Sequence, residues 1–442
     1  MTAMDRQHRI IVVGGGAGGL ELVTRLGDRL GKRSRAKVIL VDRNPTHFWK
    51  PLLHEVAAGS MDANTHQLEY AAQARWHHFE FQHGALTAVD RLRKCITVAG
   101  CFDDEGQELQ PVRELEYDTL VLSIGCVTHF FGVPGAEQHS LALDTVEQAE
   151  KFRRRLISTC VRAQSGRGRT GAHGRSRVDI AIVGAGATGV ELAAELRNTA
   201  HVLNAYGIHK LDPRQDIHIH VIEAGPRILP ALSERISHKA HKLLSNLHVN
   251  VLTSERVTTV SPSEILTASG KRIEVDLTVW AAGITAPAVV RNFGLPVNRA
   301  GQVIVGPTLQ VEGDSSIFAL GDCASYTCVE RQTVVPPRAQ AAHQQATFLF
   351  TALNARLKGR APPAFRYKDR GSLVSLGDFS AVGSLKGGLV GGSMFIEGLL
   401  ARLMYTSLYR MHVMTLHGLR RMALDTAAHW LRSRTSPRIK LH

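Results

Sequence analysis

The sequence of 442 residues has few cysteines, no Cys-x-x-Cys pair and no long uncharged apolar run. A membrane-spanning helix requires about 20 consecutive apolar residues, so no such helix is expected. Cys323 and Cys328 have no histidine partners at zinc-binding spacing, and no metal site is predicted. The six cysteines are expected to stay reduced on the cytosolic side. Because only a short segment precedes Gly14, no signal or transit peptide is expected.

Acidic residues are outnumbered by basic ones, with 39 Asp and Glu against 53 Lys and Arg, and the formal charge is +14. This excess favours an anionic partner, namely nucleic acid, an anionic membrane or an anionic substrate, although a solvated basic surface explains it equally well. One basic stretch, Val161–Arg177, is rich in glycine and serine and contains no aromatic residue. It is therefore predicted to be an exposed, mobile linker, and no nucleic-acid partner is expected.

A glycine-rich turn joins an apolar strand to a helix near the start of the chain. Ile10–Val13 is followed by Gly14-x-Gly16-x-x-Gly19, and the next predicted strand, Lys37–Val41, ends at Asp42. The glycines allow a tight turn and close approach to a pyrophosphate, whose charge the helix N-terminus stabilises. An acid after the second strand can accept hydrogen bonds from a ribose. This unit therefore predicts a dinucleotide site.

The same arrangement occurs a second time. Val178–Val183 leads into Gly184-x-Gly186-x-x-Gly189, and the strand Ile217–Ile222 ends at Glu223. The distance from the turn to this acid exceeds the usual spacing of about 20 residues, which indicates an insertion. An acid here favours the free 2′-hydroxyl of NADH over the phosphate of NADPH, although the nearby Arg227 keeps NADPH open.

Three further strands are predicted to complete these units. Two of them end in Gly125 and Gly283, and each fits the strand that returns the chain to a nucleotide-binding sheet. The third, in Ser315–Ala324, runs into Gly321-Asp322. Because this strand lies so late in the chain, the first domain is expected to be interrupted by the second.

Together these motifs resemble the flavoproteins with two dinucleotide-binding domains. The resemblance implies an α/β fold with two Rossmann-like domains in a glutathione-reductase-like arrangement, followed by a C-terminal amphipathic helical membrane-surface module. The implied domains are 1–150 with 300–375 for FAD, 151–299 for NADH and 376–442 for membrane attachment. The implied FAD-binding residues are Gly14, Gly16, Ala17, Gly18, Gly19, Asp42, Lys50, Gly125, Asp322 and Ala339. Those implied for NADH are Gly184, Gly186, Gly189, Glu223 and Gly283.

The route by which electrons leave the flavin is indicated by two more segments. Asn44–Ser60 has no cysteine at the position where disulfide reductases carry a redox pair, and it resembles type II NADH dehydrogenases. Pro336–Ala346 contains Ala339-Gln340-x-Ala342-x-Gln344, a pattern that the family associates with the quinone. Residues four apart share a helical face, so both glutamines can offer amide donors to quinone carbonyls, unless this is simply a soluble Gln/Ala helix.

Glu191 is the third catalytic candidate, because it matches the family's acid after the second glycine loop. It is expected to bond the nicotinamide carboxamide or to help deliver protons, unless it only caps the helix or complements the helix dipole. His343 lies at a variable position of the glutamine motif, and no role is assigned to it.

The C-terminal region is predicted to form amphipathic helices that lie in an anionic membrane surface, with Trp430 as an interfacial anchor. Its apolar residues recur at helical spacing, at Phe395, Ile396, Leu399, Leu400, Leu403, Met404, Leu408 and Met411. Its basic residues are Arg402, Arg410, Arg420, Arg421, Arg432, Arg434, Arg438 and Lys440. A dimerisation helix or ordinary core packing would produce the same apolar pattern, and a homodimer is compatible with either.

The resemblance implies transfer of two electrons from NADH through FAD to a membrane quinone, without proton pumping, on the cytoplasmic face of a bacterial inner membrane. Cys126 and Cys160 leave a sulfide:quinone oxidoreductase open, since those enzymes use cysteines near the flavin. The sequence is also compatible with a soluble NADH-dependent flavoprotein reductase and with a flavin-bound NADH sensor.

Overall fold

The computed structural model describes residues 7–170, 176–205, 210–328, 330, 332–377, 380–387 and 392–432. The chain divides into two compact units. Unit 1 consists of Met1–Trp49, His66–Val127 and Ile284–Lys368, and unit 2 consists of Lys50–Thr65, Thr128–Gly283 and Asp369–His442.

The α-helices are given in chain order: α1 Ala17–Arg29, α2 Leu53–Ala58, α3 Tyr70–His77, α4 Ala136–His139, α5 Val146–Gln164, α6 Ala187–Ala205, α7 Glu234–Asn246, α8 Ala339–Arg356 and α9 Gly398–Arg432. The strands of the first 130 residues are β1 His8–Val13, β2 Ala36–Asp42, β3 Thr46–His47, β4 Leu68–Glu69, β5 Glu80–His83, β6 Leu86–Asp90, β7 Cys95–Val98, β8 Cys101–Phe102, β9 Glu108–Gln110, β10 Arg113–Glu116, β11 Thr119–Leu122 and β12 Val127–Thr128.

The later strands are β13 Arg169–Thr170, β14 Ser176–Val183, β15 Ile217–Ile222, β16 Val249–Leu252, β17 Val257–Val260, β18 Glu264–Thr267, β19 Arg272–Glu274, β20 Leu277–Trp280, β21 Ile284–Thr285, β22 Val303–Ile304, β23 Ile317–Ala319, β24 Ala324–Ser325, β25 Thr327–Cys328, β26 Thr333–Val334, β27 Gly371–Leu376, β28 Ser380–Gly387 and β29 Gly392–Glu397.

The central sheet of unit 1 has five parallel strands in the order β23-β11-β1-β2-β5. Ile10–Val13 of β1 are all buried, which is why this strand reads as an unbroken apolar run rather than an alternating one. Helices α1 and α8 pack against each other beside the sheet. The late strand β23 pairs with β11, so unit 1 is completed by chain that follows unit 2, as the sequence predicts.

The central sheet of unit 2 repeats this topology. Its parallel strands run in the order β20-β14-β15-β16, which corresponds to β11-β1-β2-β5 of unit 1. In both units a glycine turn connects the middle strand to a helix, α1 or α6, and an acid follows the next strand. The predicted α/β fold is therefore confirmed.

The C-terminal segment differs from the expected all-helical module. β27, β28 and β29 form an antiparallel sheet, and Phe395 and Ile396 lie in β29, where they pair with Ser384 and Gly383. The prediction that the helix includes these two residues is wrong, because Gly398, at φ +71°, separates β29 from α9. Within α9, Gly418 has φ +76° and interrupts the helical backbone. Arg434, Arg438 and Lys440 lie outside the described residues.

The basic stretch Val161–Arg177 also differs from its prediction. Helix α5 continues to Gln164, and β13 pairs antiparallel with β14, so a mobile linker from Val161 onward is wrong for these parts. Arg169 accounts for the regular structure at β13, because its guanidinium lies 3.4 Å from carboxylate oxygens of both Glu274 and Asp276. Residues 171–175 of the stretch lie outside the described residues.

The predicted cofactor domains stay a prediction, because a compact unit is defined by packing and not by a bound cofactor. Unit 1 ends its second segment at Val127 rather than at residue 150, and residues 369–442 belong to unit 2. Among the described helices, none combines the length and apolar character needed to cross a bilayer.

Candidate active site

The first glycine of each loop is required by backbone geometry. Gly14 has φ +98° and Gly184 has φ +105°, conformations that side chains strongly disfavour. A Cβ on Gly14 would lie 2.3 Å from the carbonyl oxygen of Ser123, and one on Gly184 would lie 2.7 Å from the amide nitrogen of Ala282. Each loop therefore turns directly against the neighbouring strand, β11 or β20.

The third glycine of each loop lets the helix pack on the loop itself. A Cβ on Gly19 would lie 1.9 Å from the carbonyl oxygen of Gly14, and one on Gly189 would lie 2.0 Å from that of Gly184. Gly18 is also needed for packing, since its Cβ would lie 2.5 Å from the Leu320 side chain. These close contacts let the first turns of α1 and α6 pack directly on their glycine loops.

The second glycine faces open space in both units. A Cβ on Gly16 or on Gly186 would meet no other atom within 4 Å. Both glycines immediately precede their helices, which begin at Ala17 and Ala187, so unpaired N–H groups and the positive helix end point towards this space. The residues therefore fit a dinucleotide pyrophosphate in each unit. The assignment of FAD to unit 1 and NADH to unit 2 stays a prediction.

Each predicted ribose-binding acid also holds its own loop. Asp42 accepts hydrogen bonds from the amides of Gly15, at 2.6 Å, and Asn44, at 2.8 Å, while burial raises its pKa. Glu223 accepts from the amides of Ala185, at 2.9 Å, and Gly225, at 2.8 Å. A carboxylate has about four acceptor sites, so both acids retain capacity for ribose hydroxyls. This loop-fixing role was not predicted from the sequence.

Three side chains form hydrogen bonds with the Gly-Asp motif of unit 1. The Cys126 thiol donates to Asp322 Oδ2 at 3.2 Å, and the Gln302 amide donates to the Asp322 carbonyl at 2.8 Å. The amide of Gly321 donates to Gln345 Oε1 at 2.7 Å. Gln345 is buried and lies next to the predicted glutamines. The sequence analysis missed it, and only its position beside the motif could have indicated a role.

The remaining predicted glycines and Lys50 have different surroundings. Gly125 has φ +69° with open space where a Cβ would be, whereas a Cβ on Gly283 would lie 2.3 Å from the Phe131 ring. In unit 2, the Lys50 ammonium lies 3.1 Å from Asp144 Oδ1. Gly125 is therefore open to a ligand, while the described contacts of Gly283 and Lys50 are with protein groups.

The glutamine motif begins α8, with Ala339 as the first helical residue. Gln344 makes two hydrogen bonds to the backbone of Lys368, donating from Nε2 to the carbonyl at 2.8 Å and accepting from the amide at 2.9 Å. The amide group of Gln344 is thus engaged by protein, a partner that helical spacing alone does not reveal. The role of Gln340 and Gln344 in quinone binding stays a prediction.

Glu191 is buried near the start of α6. Its Oε1 accepts a hydrogen bond from the amide of Ser375 at 3.0 Å, and its Oε2 lies 3.7 Å from His54 Nδ1. Burial raises the pKa of Glu191 to about 8, and burial also lowers the pKa of His54 to about 4. Glu191 is therefore protonated and His54 neutral at neutral pH. A strongly shifted acid beside a cofactor loop is typical of a functional group.

The cysteines give little support to a sulfide:quinone oxidoreductase. All six lie within the described residues and carry free thiols. Cys160 is fully buried, and burial raises its pKa to about 12. Because the thiolate is the reactive form, Cys160 is a poor nucleophile.

Comparison with known proteins identifies the family of the chain. Residues 8–346 match the family described as pyridine nucleotide-disulphide oxidoreductase. The chain is 40% identical over 443 residues to a protein named type II NADH:quinone oxidoreductase from Haemophilus influenzae, an alignment that covers 98% of this chain and 99% of that protein. A protein of the same name from Staphylococcus saprophyticus is 27% identical and covers 87% of this chain and 91% of its own length.

Among solved structures, NDH2 from Plasmodium falciparum in complex with NADH is similar, with a TM-score of 0.80 at 20% identity over 98% of this chain and 100% of that chain. At that identity the similarity concerns the fold. The family pattern spans most of the chain, and the Haemophilus relative aligns along nearly its whole length. The chain therefore belongs to the pyridine nucleotide-disulphide oxidoreductases and, within them, to the type II NADH:quinone oxidoreductases.

Proposed function

We propose that the chain oxidises NADH bound at the unit 2 loop and reduces a quinone on the α8 side of unit 1, using FAD held at the unit 1 loop and pumping no protons. The observation that supports this function best is the duplicated glycine loop. Gly16 and Gly186 each leave open space at a helix N-terminus, and in each unit an acid accepts a hydrogen bond from the turn. FAD, when bound, supplies the two-electron chemistry that links the nicotinamide to the quinone.

A two-step spectral experiment tests this function. Adding NADH to the purified protein should bleach the flavin absorbance, and adding a short-chain quinone without oxygen should restore it. If NADH bleaches the flavin and quinone fails to restore it, the NADH sensor becomes the better description. Restoration by a soluble acceptor protein but not by quinone would favour the soluble reductase.

In unit 1 the residues of this chain hold the flavin nucleotide. The amides at the start of α1 would bind the pyrophosphate, Asp42 would accept from the ribose, and Asp322 would accept from the ribityl chain. Cys126 and Gln302 fix Asp322, and Gln345 fixes the amide of Gly321.

In unit 2, Glu223 is proposed to select NADH. Its carboxylate accepts from the adenosine ribose and repels a 2′-phosphate. Glu223→Gln is expected to narrow the preference for NADH over NADPH in kcat/KM by about tenfold, because one charge-assisted hydrogen bond worth about 1.5–3 kcal/mol is lost. Asp42→Asn is the matched control, since it makes the same acid-to-amide change in unit 1 and should leave the preference unchanged. Steady-state kinetics with both nucleotides checks this prediction. An unchanged preference in Glu223→Gln would show that Glu223 does not select NADH over NADPH.

Glu191 is proposed to supply a proton. The reaction converts NADH, one proton and a quinone into NAD⁺ and quinol, so one proton must enter. Glu191 carries a proton at neutral pH, and Oε2 is the oxygen that accepts no amide hydrogen bond in the described contacts. A carboxyl whose pKa lies near the working pH suits proton transfer. Bonding of the nicotinamide carboxamide is compatible with the same position.

At the start of α8, Gln340 is proposed to donate to a quinone carbonyl, and the small Ala339 and Ala342 let the flat ring approach. Gln344 holds the backbone of Lys368 in place beside this face. The cytoplasmic face of a bacterial inner membrane supplies both NADH and the quinone, and a homodimer is compatible with this arrangement.

The C-terminal helix α9 is proposed to lie on an anionic membrane surface. Among its described side chains, Leu403, Met411, Leu419 and Leu424 are apolar and exposed, with 59%, 44%, 68% and 71% exposure. Exposed leucines on a basic helix favour insertion between lipid headgroups.

A surface variant tests membrane attachment without truncation. Leu419→Ser with Leu424→Ser should weaken sedimentation with anionic vesicles about tenfold or more, because burial of one leucine contributes about 1.5–3 kcal/mol. Leu92→Ser is the control, since Leu92 is 98% exposed in unit 1. Equal sedimentation of both variants would place the attachment elsewhere.

A further inference from the structure

The peptide bond between Gly15 and Gly16 in the first glycine loop is held by two buried side chains. The Gly15 carbonyl accepts hydrogen bonds from His47 Nδ1 at 2.8 Å and from the Tyr70 hydroxyl at 2.8 Å. The two side chains have 3% and 2% exposure. Because a carbonyl oxygen has two lone pairs, these two donors occupy it fully and fix its direction.

Burial keeps both donors in the protonation state that these bonds need. It lowers the pKa of His47 to about 4 and raises the pKa of Tyr70 well above its usual value. At neutral pH the tyrosine therefore keeps its hydroxyl proton, and the histidine is neutral. The single N–H of the histidine lies on Nδ1, because a carbonyl oxygen can only accept.

Local structure brings the two donors to the loop. His47 lies in β3, which pairs with β4, and Tyr70 directly follows β4 as the first residue of α3. The amide of Tyr70 also donates to the Pro45 carbonyl at 3.0 Å. A Cβ on Gly15 would lie 2.4 Å from the Tyr70 ring. This contact accounts for the glycine in the first loop at the place where the second loop has Ala185.

The corresponding peptide of the second loop is held in a different way. Gly15 and Ala185 each donate their amide to the acid of their own unit. The Ala185 carbonyl, however, accepts from the backbone amide of Leu229 at 2.8 Å. Among the described contacts, support of this carbonyl by side chains is therefore a feature of unit 1.

The direction of the Gly15 carbonyl determines where the next N–H points. The peptide is trans, and the C=O and N–H bonds of a planar trans peptide point in opposite directions. Since the carbonyl faces His47 and Tyr70, the Gly16 N–H points away from them, and it has no protein acceptor among the described contacts. Open space lies beside Gly16, so this amide is free to bind an oxygen of a ligand.

We propose that His47 and Tyr70 are positioning residues for the flavin nucleotide, because they hold the Gly15 carbonyl inward and thereby keep the Gly16 N–H available to the pyrophosphate. Without these donors the buried carbonyl would be unsatisfied and would turn towards water, which would turn the Gly16 N–H inward. The inference rests on the proposed placement of FAD at the unit 1 loop and adds what keeps this loop ready for the nucleotide.

Titration of the flavin-free full-length chain with FAD tests this inference. Tyr70→Phe removes one oxygen atom and should weaken FAD binding about 2- to 10-fold. Tyr70→Phe combined with His47→Leu should weaken it about 5- to 150-fold, because the carbonyl then has no donor. If His47→Asn replaces His47→Leu in this pair, most of the lost affinity should return, since the asparagine amide can donate in place of Nδ1.

Tyr326→Phe is the matched control. The buried Tyr326 hydroxyl also donates to a carbonyl of unit 1, that of Phe365 at 2.8 Å, and not to the glycine loop. This variant should bind FAD as tightly as the wild type. NADH affinity, measured on the same chains, should stay unchanged in every variant, because the unit 2 loop is untouched.

The outcomes separate this inference from the proposed function. FAD affinities equal to that of Tyr326→Phe in all variants would overturn the inference and leave the proposed function standing. Weaker binding of NADH with unchanged binding of FAD would overturn both, because the first loop would then hold the nicotinamide nucleotide. Equal weakening of both nucleotides would indicate general damage and would also overturn the inference. Should the double variants not fold, Tyr70→Phe decides alone, and wild-type FAD affinity in that variant refutes the role.

Discussion

Glu191→Gln is expected to stabilise the folded protein by about 3 kcal/mol at pH 7. The folded-state pKa of Glu191 is raised to about 8 from a model-peptide value of 4.5. A raised acid pKa means that the unfolded chain releases a proton that the folded chain retains. Wild-type stability therefore falls as pH rises between these two values, whereas glutamine has no proton to lose and still accepts from Ser375.

Thermal unfolding at several pH values checks this expectation. The gap in Tm between Glu191→Gln and the wild type should be small near pH 4.5, grow as pH rises and level off above about 8. Glu21→Gln is the matched control and should destabilise at neutral pH, because it removes the carboxylate that pairs with Arg25 and His343. A Tm gap for Glu191→Gln that does not change with pH would show that Glu191 is ionised in the folded state.

The loops could be predicted because their geometry is local. One strand-turn-helix-strand unit contains all of the required residues: a glycine at positive φ, a glycine packed against a carbonyl, and an acid after the next strand. In unit 1 these are Gly14, Gly19 and Asp42, and they lie where the spacing indicates. The C-terminal region shows that a helical spacing of apolar residues does not by itself predict a helix. Phe395 and Ile396 continue a helical apolar pattern, yet pairing with β28 and the positive φ of Gly398 place them in a strand.

Contacts made over long sequence distances could not be predicted. Gln344 binds the backbone of Lys368, and Gln345 binds the amide of Gly321. Both partners are brought to α8 by tertiary packing, and no spacing within the motif specifies them. The unusual state of Glu191 has the same origin, since α2 and β27 pack against α6 around it.

Gln344→Ala is expected to slow reoxidation of the reduced flavin by quinone about 5- to 150-fold while reduction by NADH keeps its wild-type rate. The loss corresponds to about 1–3 kcal/mol, because the amide and carbonyl of Lys368 lose their partner and the chain beside the glutamine face is no longer held. Reduction by NADH depends on the unit 2 loop, which the substitution leaves intact. Stopped-flow measurement of the two half-reactions separates these rates.

Gln340→Ala distinguishes direct binding from positioning at the same helix face. If Gln340 donates to the quinone and Gln344 holds Lys368, Gln340→Ala should weaken quinone binding directly. Gln344→Ala should act through the Lys368 backbone and should also lower thermal stability. An artificial acceptor that takes electrons at an exposed flavin edge should be less affected than quinone in either variant. Equal slowing of both half-reactions would indicate general damage, and slowing of NADH reduction alone would place the glutamines on the nicotinamide side and refute the quinone assignment.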